Sequence, residues 1–347
     1  MLGTENTPAE ARDGRSFALD RYRLLQASLF SLRAGPALIL LLLIIAVSLT
    51  TPIFLTSRNI GNVFSQTSVI AVVALGQLLV IVTRGIDLSV GSTIALSGVT
   101  GAVVFQHTSS SALVVLAILG TGVAVGAVNG IVYVFGRVPH PFIVTLATLS
   151  IVRGLALWAS DGTLVPGMPP VVQTLGGGTV DWLPYATFVV AAAAICTLLL
   201  TTVLVWGRWL YAVGGNPEAA RRSSIPTRKV LVTVYILSGF AAGVGGLLTA
   251  GLINGGSPTA GDLAELDSIA AVIIGGAAFA GGRGNVGNAL IGAFTIGVIR
   301  NALNLHNVDP FYQLMAIGVI VLIAVEADVL RRHVEERVRV AQATRHA

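Results

Sequence analysis

The chain consists of long apolar blocks separated by short polar connections. Ten blocks are close to the length of about 20 residues that a helix needs to cross the hydrocarbon core of a bilayer. They lie at residues 34–50, 63–82, 88–105, 112–135, 141–158, 185–206, 231–253, 263–280, 286–303 and 311–329. Helix is expected because backbone groups that face lipid must be hydrogen-bonded within their own segment. The unbroken apolar run at 38–47 does not alternate as a barrel strand would. The pattern predicts an all-α polytopic membrane protein of about ten transmembrane helices, with one membrane domain at 34–330.

The eighth block is the weakest of the ten. Glu265 and Asp267 stand near its start, and its clean apolar part is short. Whether this block crosses the membrane fully is left open.

The arginines predict which side of the membrane each connection occupies. If the N-terminus is inside and all ten blocks cross, all but three of the 21 basic residues fall in or beside inside segments; the exceptions are Arg58, Arg153 and Arg300. The positive-inside rule then predicts a cytoplasmic N-terminal tail (1–33), a cytoplasmic loop (207–229) and a cytoplasmic C-terminal tail (331–347). The outside connection 160–184 is rich in Gly and Pro, and it is either a contact for another protein or a solvated connector.

Composition supports the membrane location and excludes several classes of function. Only 11% of residues are charged, against about 25% in soluble domains. Cys196 is the single cysteine and the five histidines lack ligand spacing, so no disulfide or multi-thiolate metal site is expected within the chain. The arginines flank apolar blocks, so the expected partner is membrane lipid and not nucleic acid. Because the one lysine, Lys229, precedes Val230, a phosphate-binding loop is excluded, and any ATP that the protein uses must be hydrolysed by another polypeptide.

The loop 207–229 carries the start signals of a short helix. Asn216 is a good N-cap, Pro217 suits the first helical position, and Glu218 complements the helix N-terminus. These residues predict a helix at 218–224 that ends near Pro226. On charge alone, an interfacial helix whose arginines meet lipid phosphates is an equal alternative to a docking element.

The sequence GIDLSVGS, residues 85–92, lies between the second and third blocks. Asp87 or Ser89 can cap the third helix, and Gly85, Gly91 and Ser92 allow neighbouring backbones to approach closely. An aspartate at a membrane boundary is alternatively a coupling or substrate residue. We favour the cap because it needs no further assumption.

Two further patterns affect the assignment of function. Residues 282–287, GRGNVG, match the dinucleotide pattern GxGxxG, but no βαβ unit surrounds them, so cofactor binding is rejected in favour of close helix packing. The well-buried parts of the blocks contain no Asp or Glu. This absence argues against a proton-driven carrier, though not against a sodium-driven one.

Four stretches of the chain resemble the permeases of ribose-type ABC importers, which are inner-membrane components of binding-protein-dependent monosaccharide transport. They are GIDLSVGSTIALSG (85–98), VPHPFIVTLATLSIVRGLAL (138–157), GGNPEAARRSSIPTRKVLVTVYILSGFAAGVGGLL (214–248) and the glycine-rich run after Asp267. The resemblance is ordered along residues 35–330. GIDLSVG is its most specific part, because branched-chain amino-acid permeases usually differ there.

The resemblance implies a permease with two related halves that pairs with a second copy or a close paralogue in the bacterial inner membrane. Its implied partners are a cytoplasmic ATPase, which carries ATP and Mg, and an extracytoplasmic sugar-binding protein; no cofactor is expected in this chain. The residues that match the family's ATPase-coupling helix are Asn216, Pro217, Glu218, Ala219, Ala220 and Arg221. The match departs at Ser224, where glycine is common.

The implied function is import of a monosaccharide, a ribose-like pentose or a hexose, by alternating access. A sugar needs hydrogen-bonding groups along its path. The candidates by residue type are Asn129, Thr145, Asn254 and Asn301. The alternatives are a permease for a branched-chain amino acid, a nucleoside or a signal molecule, and a secondary carrier that functions alone.

Overall fold

The computed structural model describes residues 35–346, without the side chains of residues 327–328 and 331–346. The predicted N-terminal tail, 1–33, lies outside the described residues. The described helices are α1 Gly35–Thr50, α2 Ser57–Val82, α3 Val90–His107, α4 Ser111–Phe135, α5 Pro141–Ala159, α6 Pro170–Gly177, α7 Tyr185–Thr202, α8 Val205–Gly215, α9 Pro217–Arg222, α10 Thr227–Ile253, α11 Ala264–Ile274, α12 Val286–Leu305 and α13 Pro310–His346. Four two-residue strands form two antiparallel pairs: β1 Val165–Pro166 with β4 Gly255–Gly256, and β2 Thr179–Val180 with β3 Leu183–Pro184.

Six of the described helices are long and apolar enough to cross a membrane: α2, α4, α5, α7, α10 and α12. Shorter apolar helices are α1 and the first part of α13, Pro310–Glu326. Local side-chain chemistry begins several of these helices, because Thr56, Ser110 and Asn285 each accept a hydrogen bond from a backbone N–H of the first turn. The prediction of an all-α membrane protein is confirmed.

Helices α2 and α10 form the centre of the molecule, and several glycines allow them to pack closely with their neighbours. Along its most apolar stretch α2 has 83% of its residues buried, whereas α7 has 17% and is largely exposed at the outside of the chain. A Cβ added at Gly76 of α2 would lie 2.8 Å from the Cβ of Ala241 of α10. A Cβ at Gly126 of α4 would collide with the backbone of Tyr235 of α10. Backbones this close require residues without side chains.

Two predicted boundaries differ from the structure. The predicted sixth block, 185–206, is helical only to Thr202, because the N–H groups of Val203 and Leu204 both turn back to the carbonyl of Leu199. A separate helix, α8, then begins at Val205 inside the predicted block. The start of the predicted C-terminal tail at 331 is not a helix end, since α13 continues to His346.

The predicted eighth block contains a half-length helix. Helix α11 has 11 residues, which corresponds to about 16 Å, or about half of a bilayer core. The non-helical residues 255–263 run along α3: a Cβ at Gly256 would lie 2.6 Å from the Cα of Val99, and one at Gly261 would lie 2.7 Å from the carbonyl oxygen of Gly91. Irregular backbone within a membrane-crossing segment is tolerated where other parts of the protein cover it.

Two ion pairs hold the segment before α11 and the first turn of α11. Arg153 of α5 donates to the carbonyls of Pro258 and Ala260, at 2.6 and 3.1 Å, and its other terminal nitrogen is 2.7 Å from a carboxylate oxygen of Asp262. Arg300 of α12 binds Asp267, whose side chain is only 4% exposed. Two of the three arginines that do not fit the positive-inside count therefore have carboxylate partners.

Candidate functional site

The GIDLSVGS loop is buried in the protein and centres on Asp87, which is 1% exposed. One carboxylate oxygen of Asp87 accepts hydrogen bonds from the backbone N–H and the hydroxyl of Ser89, at 3.0 and 2.7 Å. The other accepts a hydrogen bond of 2.8 Å from the hydroxyl of Ser238 of α10. Asp87 therefore ties the start of α3 to the central helix α10. Ser238 was not singled out from the sequence, because nothing local marks it.

The predicted cap is present by position but not by hydrogen bond. Ser89 occupies the N-cap position of α3, yet its hydroxyl makes no capping bond. It donates to Asp87 instead, and it accepts a bond of 2.8 Å from the side-chain amide of Asn129. The backbone of Ser89 lies in the right-handed helical region (φ −79°, ψ −9°) and not in the extended region of a capping residue. Asp87 serves the start of α3 by accepting from the N–H of Ser89, but neither side chain makes the bond to the first turn that defines a cap.

The small residues of the loop have no room for a larger side chain. A Cβ at Gly85 would lie 2.5 Å from the hydroxyl of Tyr235, and one at Gly91 would lie 2.5 Å from the carbonyl oxygen of Gly261. Ser92 is fully buried and donates to the carbonyl of Ser89. The packing part of the prediction thus agrees with the geometry.

Two acids at the edges of apolar blocks lie inside the protein. Asp87 and Asp267 are 1% and 3% exposed. Asp87 belongs to the loop between α2 and α3, and Asp267 to the first turn of α11. The six long apolar helices themselves contain no Asp or Glu.

Two of the four predicted pathway residues meet at the GIDLSVGS loop. Asn129 of α4 contacts Ser89, as described above, and its side-chain oxygen has no partner in the described part of the chain. The hydroxyl of Thr145 of α5 is 3.1 Å from the carbonyl oxygen of Ile86. The hydroxyl of Tyr235, next to Gly85, is likewise buried without a described partner. We call Asp87, Ser89, Asn129, Tyr235 and Ser238 the polar cluster.

The other two predicted pathway residues lie elsewhere, and both hydrogen-bond to distant chain segments. Asn254 ends α10 in a left-handed conformation (φ 51°). Its side-chain oxygen accepts from the N–H of Met168, and its carbonyl accepts from Gly167, at 3.0 and 2.8 Å. Asn301 of α12 exchanges two hydrogen bonds of 2.9 Å with Asn59 of α2. These asparagines join chain segments, and Asn59 is a partner that the sequence analysis missed.

The predicted coupling helix forms as α9, residues Pro217–Arg222. The side-chain oxygen of Asn216 accepts from the N–H of Ala219 at 3.0 Å, and Glu218 pairs with Arg221 and Arg222. The helix ends two residues before the predicted end, because Ser224 adopts a left-handed conformation (φ 62°). Glycine, which the resemblance implies at this position, would adopt that conformation without steric cost.

One face of α9 is open. In α9 only Ala220 is buried, at 3% exposed, and the side chains of Glu218, Arg221 and Arg222 are 53%, 71% and 79% exposed. The preceding helix α8 is anchored, since the hydroxyl of Tyr211 donates to the carbonyl of Gly284 at 2.9 Å. Half-burial raises the pKa of the Tyr211 hydroxyl, which keeps it a donor. Helix α9 is therefore an exposed, charged helix that directly follows the anchored helix α8.

The chain matches a known family over most of its length. Residues 59–325 match the profile of the family described as "Branched-chain amino acid transport system / permease component". The chain belongs to this family. The permease is also 39% identical over 299 residues to the ribose import permease protein RbsC of Escherichia coli K12, which covers 83% of this chain and 91% of that protein.

Other relatives are named for other sugars. The permease is 35% identical over 292 residues to the D-allose transport system permease protein AlsC of Escherichia coli K12 (83% of this chain, 89% of that one). It is 35% identical over 304 residues to the L-arabinose ABC transporter permease protein AraH of Azospirillum brasilense (87% and 88%). No solved structure matches the permease. The predicted resemblance to monosaccharide permeases is confirmed.

The described residues offer no metal site. No group of three or more His, Cys, Asp or Glu side chains in that part of the chain could hold a metal ion. The two candidate functional elements are the buried polar cluster and, apart from it, the exposed helix α9.

Proposed function

We propose that this chain is the membrane-spanning subunit of an ATP-binding-cassette importer that carries a monosaccharide into the cytoplasm. The observation that carries the proposal is α9, a capped and exposed helix with the sequence NPEAAR, in a chain whose named relatives are sugar permeases. ATP and Mg belong to a separate ATPase subunit. An extracytoplasmic binding protein delivers the sugar, and a second permease copy or a close paralogue completes the pathway.

The topology that fits this function has ten crossings in two related halves, with both tails and the 207–229 loop in the cytoplasm. Support comes from the arginine distribution and from the covering of residues 255–263 by α3, which lets a half-length helix and an irregular segment share one crossing. In this arrangement α9 faces the ATPase, and the connection 160–184 faces the binding protein.

The polar cluster is the part of the pathway that this chain contributes. Asn129 and Tyr235 each keep an unpartnered polar atom there, and a buried polar atom without a partner costs about 1–3 kcal/mol. A sugar hydroxyl that reaches them in another state of the transport cycle would recover that cost. Asn254 and Asn301 are better explained as joints between segments, since the side-chain oxygen of Asn254 and both polar atoms of the Asn301 side chain bind distant residues.

The coupling role of α9 is tested by the double variant Glu218→Arg with Ala219→Trp. Both side chains are exposed, so the permease should fold and insert normally, but the ATPase should no longer bind. We expect loss of both ATPase co-purification and ribose uptake in cells that express the whole transporter. Asp161→Arg, an equal charge reversal at an exposed residue of the opposite predicted side, is the control and should keep ATPase binding. Normal uptake by the double variant would refute the coupling role.

The choice among substrates rests on the relatives. The family description refers to branched-chain amino acids, whereas the relatives above are named for ribose, allose and arabinose. We therefore propose a sugar. A thermal-shift screen of the partner binding protein should show stabilisation by a pentose or hexose and none by leucine. Uptake by the purified chain alone in liposomes, without an ATPase, would instead identify a secondary carrier.

A further inference from the structure

Arg84 ends α2 with a backbone conformation that normally belongs to glycine. Its φ is 67°, in the left-handed region. The N–H of Arg84 bonds to the carbonyl of Ile81, and the N–H of Gly85 bonds to that of Val80, both at 2.9 Å, which is the Schellman pattern of a helix C-terminus. A residue with a Cβ is disfavoured there. The local geometry therefore gives no reason for an arginine.

The side chain of Arg84 supplies a reason, because it binds the end of a different helix. Its Nε donates to the carbonyl oxygen of Gly214 at 2.6 Å, and one terminal nitrogen donates to that of Gly215. These are the last two carbonyls of α8, which have no partners within their own helix. The positive charge also complements the negative end of the helix dipole. The guanidinium is thus a two-point clamp on the end of α8.

The clamp lies in a closely packed junction of three chain segments. The N–H of Gly282 donates to the carbonyl of Val82 at 2.8 Å. A Cβ at Gly214 would collide with that same carbonyl, and one at Gly282 would lie 2.8 Å from the Cα of Gly215. We call Val82, Arg84, Gly214, Gly215 and Gly282 the glycine junction. Backbone contacts of this kind transmit a displacement directly, because no flexible side chain stands between the segments.

The glycine junction adjoins both functional elements. The residue after Gly215 is Asn216, the N-cap of α9, so the clamped carbonyls immediately precede the exposed helix. On the other side, Gly85 begins the GIDLSVGS loop directly after Arg84. A movement of α9 therefore reaches the end of α2 through the backbone contacts of the glycine junction, and the two bonds of Arg84 fasten the end of α8 to the residue that precedes the Asp87 loop.

We propose that Arg84 is a positioning residue that couples displacement of α9 to α2 and the polar cluster. The proposal rests on the coupling role proposed for α9. Without the clamp, the ATPase still binds α9 and hydrolyses ATP, but the movement is no longer passed efficiently to the spans. The distinctive effect is a lower number of sugar molecules moved per ATP, which is a quantity that a loss of assembled transporter does not change.

The test uses Arg84→Gly, with Arg137→Gly as the matched control. Glycine relieves the left-handed backbone at position 84 while it removes the clamp. Arg137 has the same backbone conformation (φ 54°) after α4 and is exposed, and its side chain has no partner among the described residues. In proteoliposomes that contain the permease, its ATPase and ribose-loaded binding protein, we expect Arg84→Gly to lower ribose moved per ATP at least tenfold. Arg137→Gly should keep the wild-type ratio.

A wild-type ratio for Arg84→Gly would overturn the proposal. If this variant does not assemble, Arg84→Asn decides, because asparagine adopts the left-handed conformation more readily than most residues but is too short to reach the two carbonyls of α8. A reduced ratio then supports the clamp, and a wild-type ratio overturns it. The α9 double variant, measured alongside, separates the two proposals. Unchanged transport by that variant refutes the coupling role of α9 and with it this inference. If the α9 double variant loses transport but Arg84→Gly keeps the wild-type ratio of ribose to ATP, only the clamp is refuted.

Discussion

Asn59 of α2 and Asn301 of α12 exchange two hydrogen bonds in the interior, and replacing Asn301 with leucine tests what this pair does. Both residues are 3% exposed. The side-chain nitrogen of Asn59 also donates to the carbonyl of Phe54, so only its oxygen is stranded when Asn301 is removed. Leucine has a similar volume and adds no polar group. The change therefore isolates the two bonds between the helices.

The expected cost follows from the number of bonds and the stranded oxygen. Hydrogen bonds between membrane helices contribute about 0.6 kcal/mol on average and at most about 1.7 kcal/mol. Two such bonds and one unpartnered buried acceptor give a loss of about 2 kcal/mol for Asn301→Leu. In the double variant with Asn59→Leu no side-chain amide is stranded, and only the carbonyl of Phe54 loses its bond, so the cost should fall short of the sum of the two single variants by about 1 kcal/mol or more.

The assay is reversible unfolding of the purified permease by sodium dodecyl sulfate in mixed micelles, combined with ribose uptake. Asn304→Leu is the control, since Asn304 lies on the same helix but is exposed, and the one side-chain bond that it loses, from Gln313, is exposed as well; we expect a change within about 0.5 kcal/mol. The double variant should retain uptake. Wild-type stability of Asn301→Leu together with reduced uptake would show that Asn301 contacts the sugar, and the assignment of this pair as a joint would be wrong.

Two further predictions compare neighbouring or equivalent sites. Gly214→Ala should lower the free energy of unfolding by about 1–3 kcal/mol, because the added Cβ meets the carbonyl of Val82. Gly215→Ala should leave the free energy of unfolding unchanged, because no described atom beyond its chain neighbours and its own helix backbone lies within 4 Å of the added Cβ. The same unfolding assay checks both, and equal effects would contradict the close approach of Gly214 to Val82. Asp267→Asn should lower the free energy of unfolding by about 3 kcal/mol, because it breaks the ion pair of Arg300 with a carboxylate that is 4% exposed. Asp262→Asn should lower it by less than about 1 kcal/mol, because the carboxylate that pairs with Arg153 is 64% exposed. A larger loss for Asp262→Asn in thermal denaturation would reverse this ranking.

Features that depend on neighbouring residues in the chain were predictable from the sequence. Helix α9 is an example, because an N-cap asparagine, a proline and a glutamate act within one turn. Its end was misjudged by two residues, since Ser224 adopts a left-handed conformation that the Pro226 signal did not reveal. The helical state of the apolar blocks was equally predictable, because lipid leaves the backbone no other partner.

Features that depend on distant residues were not predictable. The sequence suggested a local role for Asp87 as a helix cap, but the carboxylate binds Ser238, 151 residues away. Asn301 was a pathway candidate by residue type, and only its contact with Asn59, 242 residues away, changes that role. The sequence marked Arg84 only as one of the arginines on the predicted inside, and the structure shows that its side chain binds the last carbonyls of α8.

The sequence by itself determined the class of the protein, its apolar segments, the family and the short charged helix, because each follows from composition or from contacts within a few residues. The tertiary structure alone decided which polar groups are buried together, how far the eighth block is helical and which glycines have no room for a side chain. The physical reason is that a buried polar or glycine residue is defined by its partners, and in a helical membrane protein those partners lie on other helices.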